Sequence, residues 1–393
     1  MKKNIVLGIT GGIAAYKMVG VASKLVKINY NVDVVMTESA TEFVKPLTFR
    51  SITHNPVETN LFSPPAHYDV KHISLAKKAD LFLIGPATAN IMGKIANGIA
   101  DDLLSTITMA TTAQVLFAPA MNVNMYNNPI VQDNMEYLQK KGYKVITPGS
   151  GYLACGDVGQ GRLPEPNTLV EHIIKESTDN DLNDKKILVT AGPTKEPIDH
   201  VRYLTNYSTG KMGYELARKA SYRGADVTLI SGPTELCEPF ATTVKQVKTA
   251  REMDEEVNNL APEQDIIIKA AAVSDYRPSC YHNKKLKKHN QLNQLELTSN
   301  PDILKKLGKN KPSDQFLVGF AAESNELINN ARKKLKDKNL DMIIVNDISK
   351  SETGFGSDEN EVTIITAKSI EEIPIMSKRK LADIILDKIN NLS

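Results

Sequence analysis

The chain has 393 residues, 41% of them hydrophobic, with 48 Lys+Arg against 46 Asp+Glu. That length suggests two or three domains with full cores. The charge is balanced throughout: residues 1–178 carry 16 basic and 14 acidic side chains and the remainder 32 of each, which argues against a broad nucleic-acid footprint. The three cysteines, Cys155, Cys237 and Cys280, make neither a disulfide framework nor a Cys-x-x-Cys metal site.

The N-terminal run Lys2-Lys-Asn-Ile-Val-Leu-Gly-Ile-Thr10 ends in Gly11-Gly12 rather than continuing to a cleavage site. It reads as a first core strand and not as a signal peptide. No stretch has the length of a membrane span, so a soluble, cytoplasmic protein is expected.

Short apolar runs alternate with helical patterns, the signature of parallel α/β architecture. Strands are expected at Ile5–Ile9, Val32–Met36, Leu81–Gly85, Val115–Ala118 and Lys144–Thr147. A polar stretch from Glu176 to Lys185, rich in turn formers, reads as a linker around 179–185. The pattern then restarts, with strands expected at Lys186–Thr190, Asp226–Ile230, Asp265–Lys269, Phe316–Phe320, Met342–Val345 and Glu361–Thr366. The expected fold is two doubly wound, Rossmann-like α/β domains, 1–178 and 186–393. In such sheets ligands bind beyond the carboxyl ends of the strands.

In the first half, Gly8-Ile-Thr-Gly-Gly-Ile-Ala-Ala-Tyr-Lys17 follows a strand and opens a helix. Free amides there suit a phosphate, although the spacing is neither the dinucleotide fingerprint nor a P-loop. Met36-Thr-Glu-Ser-Ala40 ends the second strand, and its hydroxyls fit either a ligand contact or a helix cap. Gly85-Pro-Ala-Thr-Ala-Asn90 and Ala118-Pro-Ala-Met-Asn122 put small and amide residues where a flat ring could lie. His72 is a lone histidine that fits a structural or a catalytic role. Cys155 sits in a run with glycines at 149, 151, 156, 159 and 161. With an ordinary pKa of about 8.5 it is mostly a thiol at neutral pH and can donate a proton.

Together these segments resemble the homo-oligomeric flavin-containing cysteine decarboxylases, with a first domain of flavodoxin-like type. The carriers are residues 11–17, Met36-Thr37, His72, Pro86–Asn90, Ala96–Leu104, Pro119–Tyr126 and Ala154-Cys-Gly-Asp157. The family motif usually ends Met-Trp, where this chain has Met125-Tyr126. The resemblance implies FMN held by Gly11, Gly12, Thr37, Thr88 and Asn90. It implies His72 assisting proton removal at the substrate thiol, Asn122 holding the substrate carboxylate and Cys155 as the acid. FMN would oxidise the thiol, the resulting thioaldehyde would accept the electrons as CO₂ leaves, and the enethiol would then be reduced and protonated.

The second half carries Thr190–Asp199 and then Val201-Arg-Tyr-Leu-Thr-Asn-Tyr-Ser-Thr-Gly-Lys-Met-Gly213, a polar loop running into a helix expected from about Gly210 to Arg223. Read bare, it is a helix start with hydroxyl caps. Lys269-Ala-Ala-Ala-Val-Ser-Asp-Tyr-Arg-Pro278 closes a buried strand. The basic run Tyr281–His289 fits either a solvated loop or a lysine loop closing over a triphosphate. Asn300-Pro-Asp-Ile-Leu304, Gly319–Glu323 and Ala331–Asp341 follow, and Lys334 and Lys338, four apart, are expected on one helix face.

This ordered set resembles phosphopantothenate–cysteine ligase across nearly all of residues 185–370. Departures are Gly192-Pro193 where Gly-Gly is also common, His200 where proline is usual and Thr209 where serine is usual; little consequence is expected from them. The resemblance implies CTP as cosubstrate and an acyl-cytidylate intermediate, with Asn206 and Arg202 at the substrate. Ala270, Ala271, Asp275, Pro301, Asp302, Ile303, Leu304 and Phe320 would form the nucleotide pocket. Lys285, Lys334 and Lys338 would neutralise phosphate charge, and Lys285 could also serve the second half-reaction. No protein metal ligand is assigned; Mg²⁺ would be held mainly by the nucleotide phosphates.

The two halves in this order resemble the bacterial bifunctional coenzyme A biosynthesis family. The ligase product is the decarboxylase substrate, which rationalises the fusion. The implied partners are 4′-phosphopantothenate, cysteine and CTP, with no nucleic acid and no membrane. The family suggests a homo-oligomer built from trimers of the flavin half and dimers of the ligase half, a dodecamer. A peptide-cysteine decarboxylase or a flavin prenyltransferase would need no second half. A flavin-binding regulatory subunit is disfavoured by the retention of His72, Asn122 and Cys155. A dehydrogenase is disfavoured by the missing glycine fingerprint.

Overall fold

A computed structural model describes residues 2–62, 71–152, 156–286, 294–323, 326–347 and 356–393. The chain divides into two compact units, Met1–Thr178 and Asp179–Ser393.

The first unit is built on a parallel sheet of β1 (Asn4–Ile9), β2 (Asn31–Met36), β3 (Val57–Glu58), β4 (Leu81–Ala87), β5 (Gln114–Pro119) and β6 (Lys144–Val145). Its order is β3-β2-β1-β4-β5-β6. Without the two-residue edge strand β3, this is the 2-1-3-4-5 order of flavodoxin-type sheets. Ile5, Val6, Leu7 and Ile9 are fully buried, as are Leu81, Phe82, Leu83 and Ile84. Continuous apolar runs of this kind suit strands covered by helices on both faces. The helix Ala15–Lys27 buries Ala15, Met18, Val21, Ala22 and Leu25, the spacing of a single helical stripe. Where the sequence showed only a glycine-rich strip, a hairpin pairs β7 (Gly149–Tyr152) with β8 (Val158–Arg162).

The second unit carries an eight-stranded sheet. Its strands are β9 (Lys186–Ala191), β12 (Asp226–Ser231), β13 (Thr243–Gln246), β14 (Ile266–Lys269), β17 (Phe316–Glu323), β18 (Met342–Asp347), β19 (Glu359–Thr366) and β20 (Ile370–Ser377). Two small ribbons, β10 (Lys195–Pro197) with β11 (Tyr203–Thr205) and β15 (Tyr276–Pro278) with β16 (Leu297–Ser299), stand outside it. The sheet order is β13-β12-β9-β14-β17-β18-β19-β20, parallel as far as β18 and antiparallel beyond it. Both sheets thus reverse order beside their first strand, at β1/β4 and at β9/β14. Among the described residues no helix is long and apolar enough to cross a membrane.

The stretch read as a polar linker does not behave as one. Its first residues close the helix Pro166–Ser177. Leu182 is fully buried in the second unit's core, and its amide donates to Arg223 O at 3.0 Å. Arg223 Nε donates to Asp181 Oδ1 at 2.8 Å, a contact that holds the Asp181 carboxyl below its ordinary value. A polar average concealed one leucine and one acid, enough to dock the strip.

Candidate functional site

In the first unit, a cavity of about 540 Å³ opens where β1 and β4 diverge. Gly11 and Gly12, Thr88, Asn122, Tyr152 and Gly161 are among its walls, with apolar surface from Ile13, Tyr16, Met121, Met125 and Leu163. The start of the helix Ala15–Lys27 has no side-chain cap; its Ala15 and Lys17 amides turn back to Gly12 O at 2.9 Å and Ala14 O at 3.0 Å. Thr10 Oγ1 donates to Pro86 O at 2.5 Å and ties the two strand ends together. Thr88 caps the helix Ala89–Ala96 through the Ile91 amide at 3.4 Å.

Asn122 is held at both ends of its amide. Oδ1 accepts the Asn124 amide at 2.8 Å, and Nδ2 donates to Asp157 Oδ2 at 2.7 Å. Asp157 closes the Ala-Cys-Gly-Asp motif, so the residue read as a carboxylate ligand already meets a carboxylate two positions from Cys155. Cys155 itself lies outside the described residues. Gly161 presses the hairpin against this segment. The Met121 amide donates to Gly161 O at 3.0 Å, and a Cβ on Gly161, at φ +134°, would stand 2.5 Å from Met121 O.

Of the other residues singled out in this half, Thr37, Asn90 and His72 are not among the cavity's lining. The Thr37 hydroxyl oxygen is shut off from solvent and has no partner among the described residues. Asn90 is exposed on the helix Ala89–Ala96. His72 opens the helix Lys71–Lys78 and is half-buried. Two cations that the sequence reading passed over do line the cavity. Lys17 Nζ reaches Glu165 at 2.9 Å and Arg162 Nη2 reaches the same carboxylate at 2.8 Å. The Lys17 hydrogen bond is the main reason the Glu165 carboxyl lies below its ordinary value. Lys17 ends the glycine-rich motif, which was the available signal.

In the second unit the corresponding crevice lies between β9 and β14. The helix Lys211–Tyr222 starts at Gly210. A Cβ on Gly213 would stand 2.6 Å from Ala191 Cβ and 3.0 Å from Thr190 O, so the glycine lets the helix start rest on the end of β9. The loop after β14 is strapped to the loop after β9. Ala271 N donates to Thr190 Oγ1 at 3.1 Å, Ala272 N to Gly192 O at 2.9 Å and Ser274 N to Thr194 Oγ1 at 3.0 Å. Asn206 Nδ2 joins at Ala272 O, 3.0 Å away, and its side chain is otherwise exposed. Asn300 N donates to Asp275 O at 2.8 Å, bringing the Asn-Pro-Asp-Ile segment to the same end.

Two of the lysines read as phosphate ligands are paired with acids. Asp302 caps the helix Ile303–Asn310 and meets Lys338 Nζ at 2.9 Å. Burial opposes ionisation of Asp302, but the Lys338 hydrogen bond and the Lys305 amide keep its carboxyl below the ordinary value. Lys334 Nζ meets Glu323 Oε1 at 2.5 Å. Lys334 lies within the helix Leu327–Asp337, while Lys338 is its C-cap. Phe320 is half-buried on β17. Ile303 is only 2% exposed and belongs to the core, so its side chain offers no face to a nucleotide. Leu304 packs on the same cluster, partly buried.

Lys269, at the end of β14, is 7% exposed. Burial, with repulsion from Lys338, takes its ammonium down to about 8 against partial compensation by Asp302 and Asp254. In the sequence this lysine only begins the segment that closes a buried strand, and its burial is decided by the fold. Arg202 is partly exposed. It pairs with Asp199 at 2.9 Å, and its Nη2 donates to Leu286 O at 2.5 Å. Lys285 is exposed beside that contact.

Comparison with known proteins agrees with this division. Residues 1–178 match the Flavoprotein family and residues 182–392 match the DNA/pantothenate metabolism flavoprotein C-terminal domain family. The coenzyme A biosynthesis bifunctional protein CoaBC of Bacillus subtilis is 48% identical, over 100% of this chain and 97% of the relative. The proteins of the same description from Borreliella burgdorferi and Escherichia coli are 47% and 42% identical, each over 98% of this chain and over 98% and 96% of their own length. With both halves matched in one order and full-length relatives at this identity, the chain belongs to the family of coenzyme A biosynthesis bifunctional proteins, CoaBC.

Proposed function

We propose that the second unit joins cysteine to 4′-phosphopantothenate at the expense of CTP, and that the first unit decarboxylates the 4′-phosphopantothenoylcysteine so formed to 4′-phosphopantetheine. The observation that supports this reading is that one chain holds two switch-point strand ends of opposite character, one beside an apolar, glycine-walled cavity, the other near the ion pairs Lys338–Asp302 and Lys334–Glu323.

In the first cavity the close backbone at Gly11 and Gly12 beside a helix start would suit the phosphate of FMN, Thr37 offers a hydroxyl with no partner among the described residues, and the apolar walls suit a ring system. Bound FMN would supply the two-electron redox chemistry that makes an electron sink of the substrate's thiol carbon. Asn122 would exchange its Asp157 partner for the substrate carboxylate, through a neutral donor that does not trap the anion as arginine would. His72 would assist removal of the thiol proton, and Cys155 would protonate the reduced product. The position of His72 outside its own chain's cavity supports a homo-oligomer in which copies complete one another's sites, with the dodecamer as the proposed assembly.

In the second crevice the carboxylate of 4′-phosphopantothenate would attack the α-phosphorus of CTP, releasing pyrophosphate. The cysteine amine would then displace CMP from the acyl-cytidylate. Activation is needed because a carboxylate is a poor electrophile. Asn206 and Arg202 would meet the acyl-cytidylate, and Ala270, Ala271, Asp275, Pro301, Asp302 and Phe320 the nucleotide. Lys285, Lys334 and Lys338 would neutralise phosphate charge, and Mg²⁺ would ride on the triphosphate. Both steps would use soluble phosphorylated metabolites, which suits a cytoplasmic enzyme.

The test is a product assay on the full chain. The purified protein should be yellow, and with 4′-phosphopantothenate, cysteine, CTP and Mg²⁺ it should release pyrophosphate and CO₂. Pyrophosphate without CO₂ would reject the decarboxylase. In Cys155→Ser, CO₂ release should persist while 4′-phosphopantetheine falls by about 100-fold or more, the scale of a lost general acid. An unchanged yield would remove Cys155 from that role.

A further inference from the structure

Asp199 is a carboxylate with a 0% exposed side chain, and neither the motif resemblance nor the proposed chemistry uses it. Its Oδ1 accepts the amides of Val201 and Arg202, both at 2.8 Å, which closes the turn after β10. Its Oδ2 accepts Arg202 Nε at 3.1 Å and the amide of Leu286 at 3.1 Å, a contact spanning 87 residues. Arg202 Nη2 then donates to the carbonyl of the same Leu286 at 2.5 Å. Leu286 is therefore gripped at both its N–H and its C=O by one ion pair. A second attachment lies four residues earlier, where His282 N donates to Ile198 O at 3.0 Å and pairs with Asp199 in a parallel bridge. Tyr281 Oη meets His200 Nδ1 at 2.9 Å alongside.

Lys285 lies between these two attachments and is exposed. The Leu286 N–H belongs to the peptide plane that joins Lys285 to Leu286, so fixing that N–H fixes where the Lys285 Cα stands and leaves only the side chain to move. Burial alone would disfavour the charged carboxyl. Three backbone amides and the Arg202 guanidinium outweigh it and take Asp199 down to about 2, so the clamp is ionised wherever the enzyme works.

We propose that Asp199, acting with Arg202, is a positioning residue for ligation: it holds Lys285 at the nucleotide crevice and touches no substrate itself. This rests on the reading of Lys285 as a ligation residue. Ordered attachment matters because a displacement of about 1 Å in a catalytic group can cost on the order of 100-fold in rate.

The experiment uses the full chain and a double-mutant cycle of Asp199→Asn and Lys285→Gln. Ligation is followed as pyrophosphate release at varied CTP, and decarboxylation is followed with added 4′-phosphopantothenoylcysteine. Asp199→Asn should lower ligation kcat/KM by about ten-fold or more while decarboxylation is unchanged, and its loss in the Lys285→Gln background should be several-fold smaller than in the wild type, with the part that remains acting through Arg202. Amide exchange should rise across residues 282–286 and stay unchanged in β9 and β14. Should the sheet loosen as well, Leu286→Pro removes the loop's donor while keeping the acid and its other three donors, and the same non-additivity with Lys285→Gln is expected. Wild-type ligation in Asp199→Asn, or losses that multiply in the double variant, would overturn the clamp. Wild-type ligation in Lys285→Gln would instead overturn the reading of Lys285, and the clamp with it.

Discussion

The two crevices occupy the same place in two related sheets and are built on opposite terms. The first is shaped by apolar contact and close approach, with Ile13, Met121 and Leu163 as walls and its cations Lys17 and Arg162 sharing one carboxylate, Glu165. The second is shaped by charge, with Lys338 on Asp302, Lys334 on Glu323 and a buried Lys269 nearby. A site for a resident ring system can be rigid and dry before its ligand arrives. A site for a triphosphate that enters and leaves each turnover must keep its lysines folded in the ligand's absence, and neighbouring acids do that. On the proposed reading those acids would blunt the attraction for free anions and give way when phosphates bind.

This contrast can be broken in three places. The largest effect is expected at Lys269. Its folded value of about 8 lies below the ordinary 10.5. Below pH 8 the ammonium is charged in both states and the fold bears the cost of burying it. Between pH 8 and 10.5 the unfolded chain binds more protons than the folded one, so stability rises with pH until the cost is gone. Lys269→Met should therefore stabilise the second unit by on the order of 3 kcal/mol at pH 7, with the gain fading toward pH 10. Urea unfolding of both proteins at the two pH values checks it. A gain independent of pH would mean that packing, not charge, sets the cost.

A smaller effect is expected from shape. Gly161→Ala places a methyl group against Met121 O in a backbone region hostile to side chains. The expected loss is about 1–3 kcal/mol in the first unit, with flavin retained less well and ligation untouched. Visible absorbance and pyrophosphate release, measured on one preparation, separate the two. Equal damage to both activities would contradict the independence of the crevices.

The smallest effect is expected at Lys338. Because Asp302 already holds it, Lys338→Gln should raise the KM for CTP only about five-fold and reduce the salt dependence of that KM, as for a partly screened ion pair. A loss of 100-fold or more would show that Lys338 acts in the chemistry rather than in neutralisation.

Much of this architecture was legible in the residues. Short apolar runs such as Ile5–Ile9 and Ile266–Ile268, alternating with helical patterns, read as strands covered on both sides, and Gly11-Gly12 and the small residues Ala270–Ala272 after them mark the ligand ends. The ribbons were not legible. Gly149–Tyr152 and Val158–Arg162 have no apolar alternation, and their hairpin rests on Met121 through the close approach of Gly161, a contact between distant segments. The strip at 179–185 looked like solvent-facing chain because its polar content outweighs the single buried leucine at 182. His200 looked like an idle departure from a motif, yet it contacts Tyr281.

What the residue order determined by itself is local: where strands and helices begin, where glycine admits a ligand or a close helix, and that two such patterns follow one another in one chain. Which charges meet was decided only by the tertiary structure. Asp199 finds Leu286 across 87 positions, and Asp302 finds Lys338 across 36. Hydrophobic periodicity is written along a segment and can be read there, whereas an ion pair or a buried hydrogen bond belongs to two segments and exists only once the sheet has brought them together.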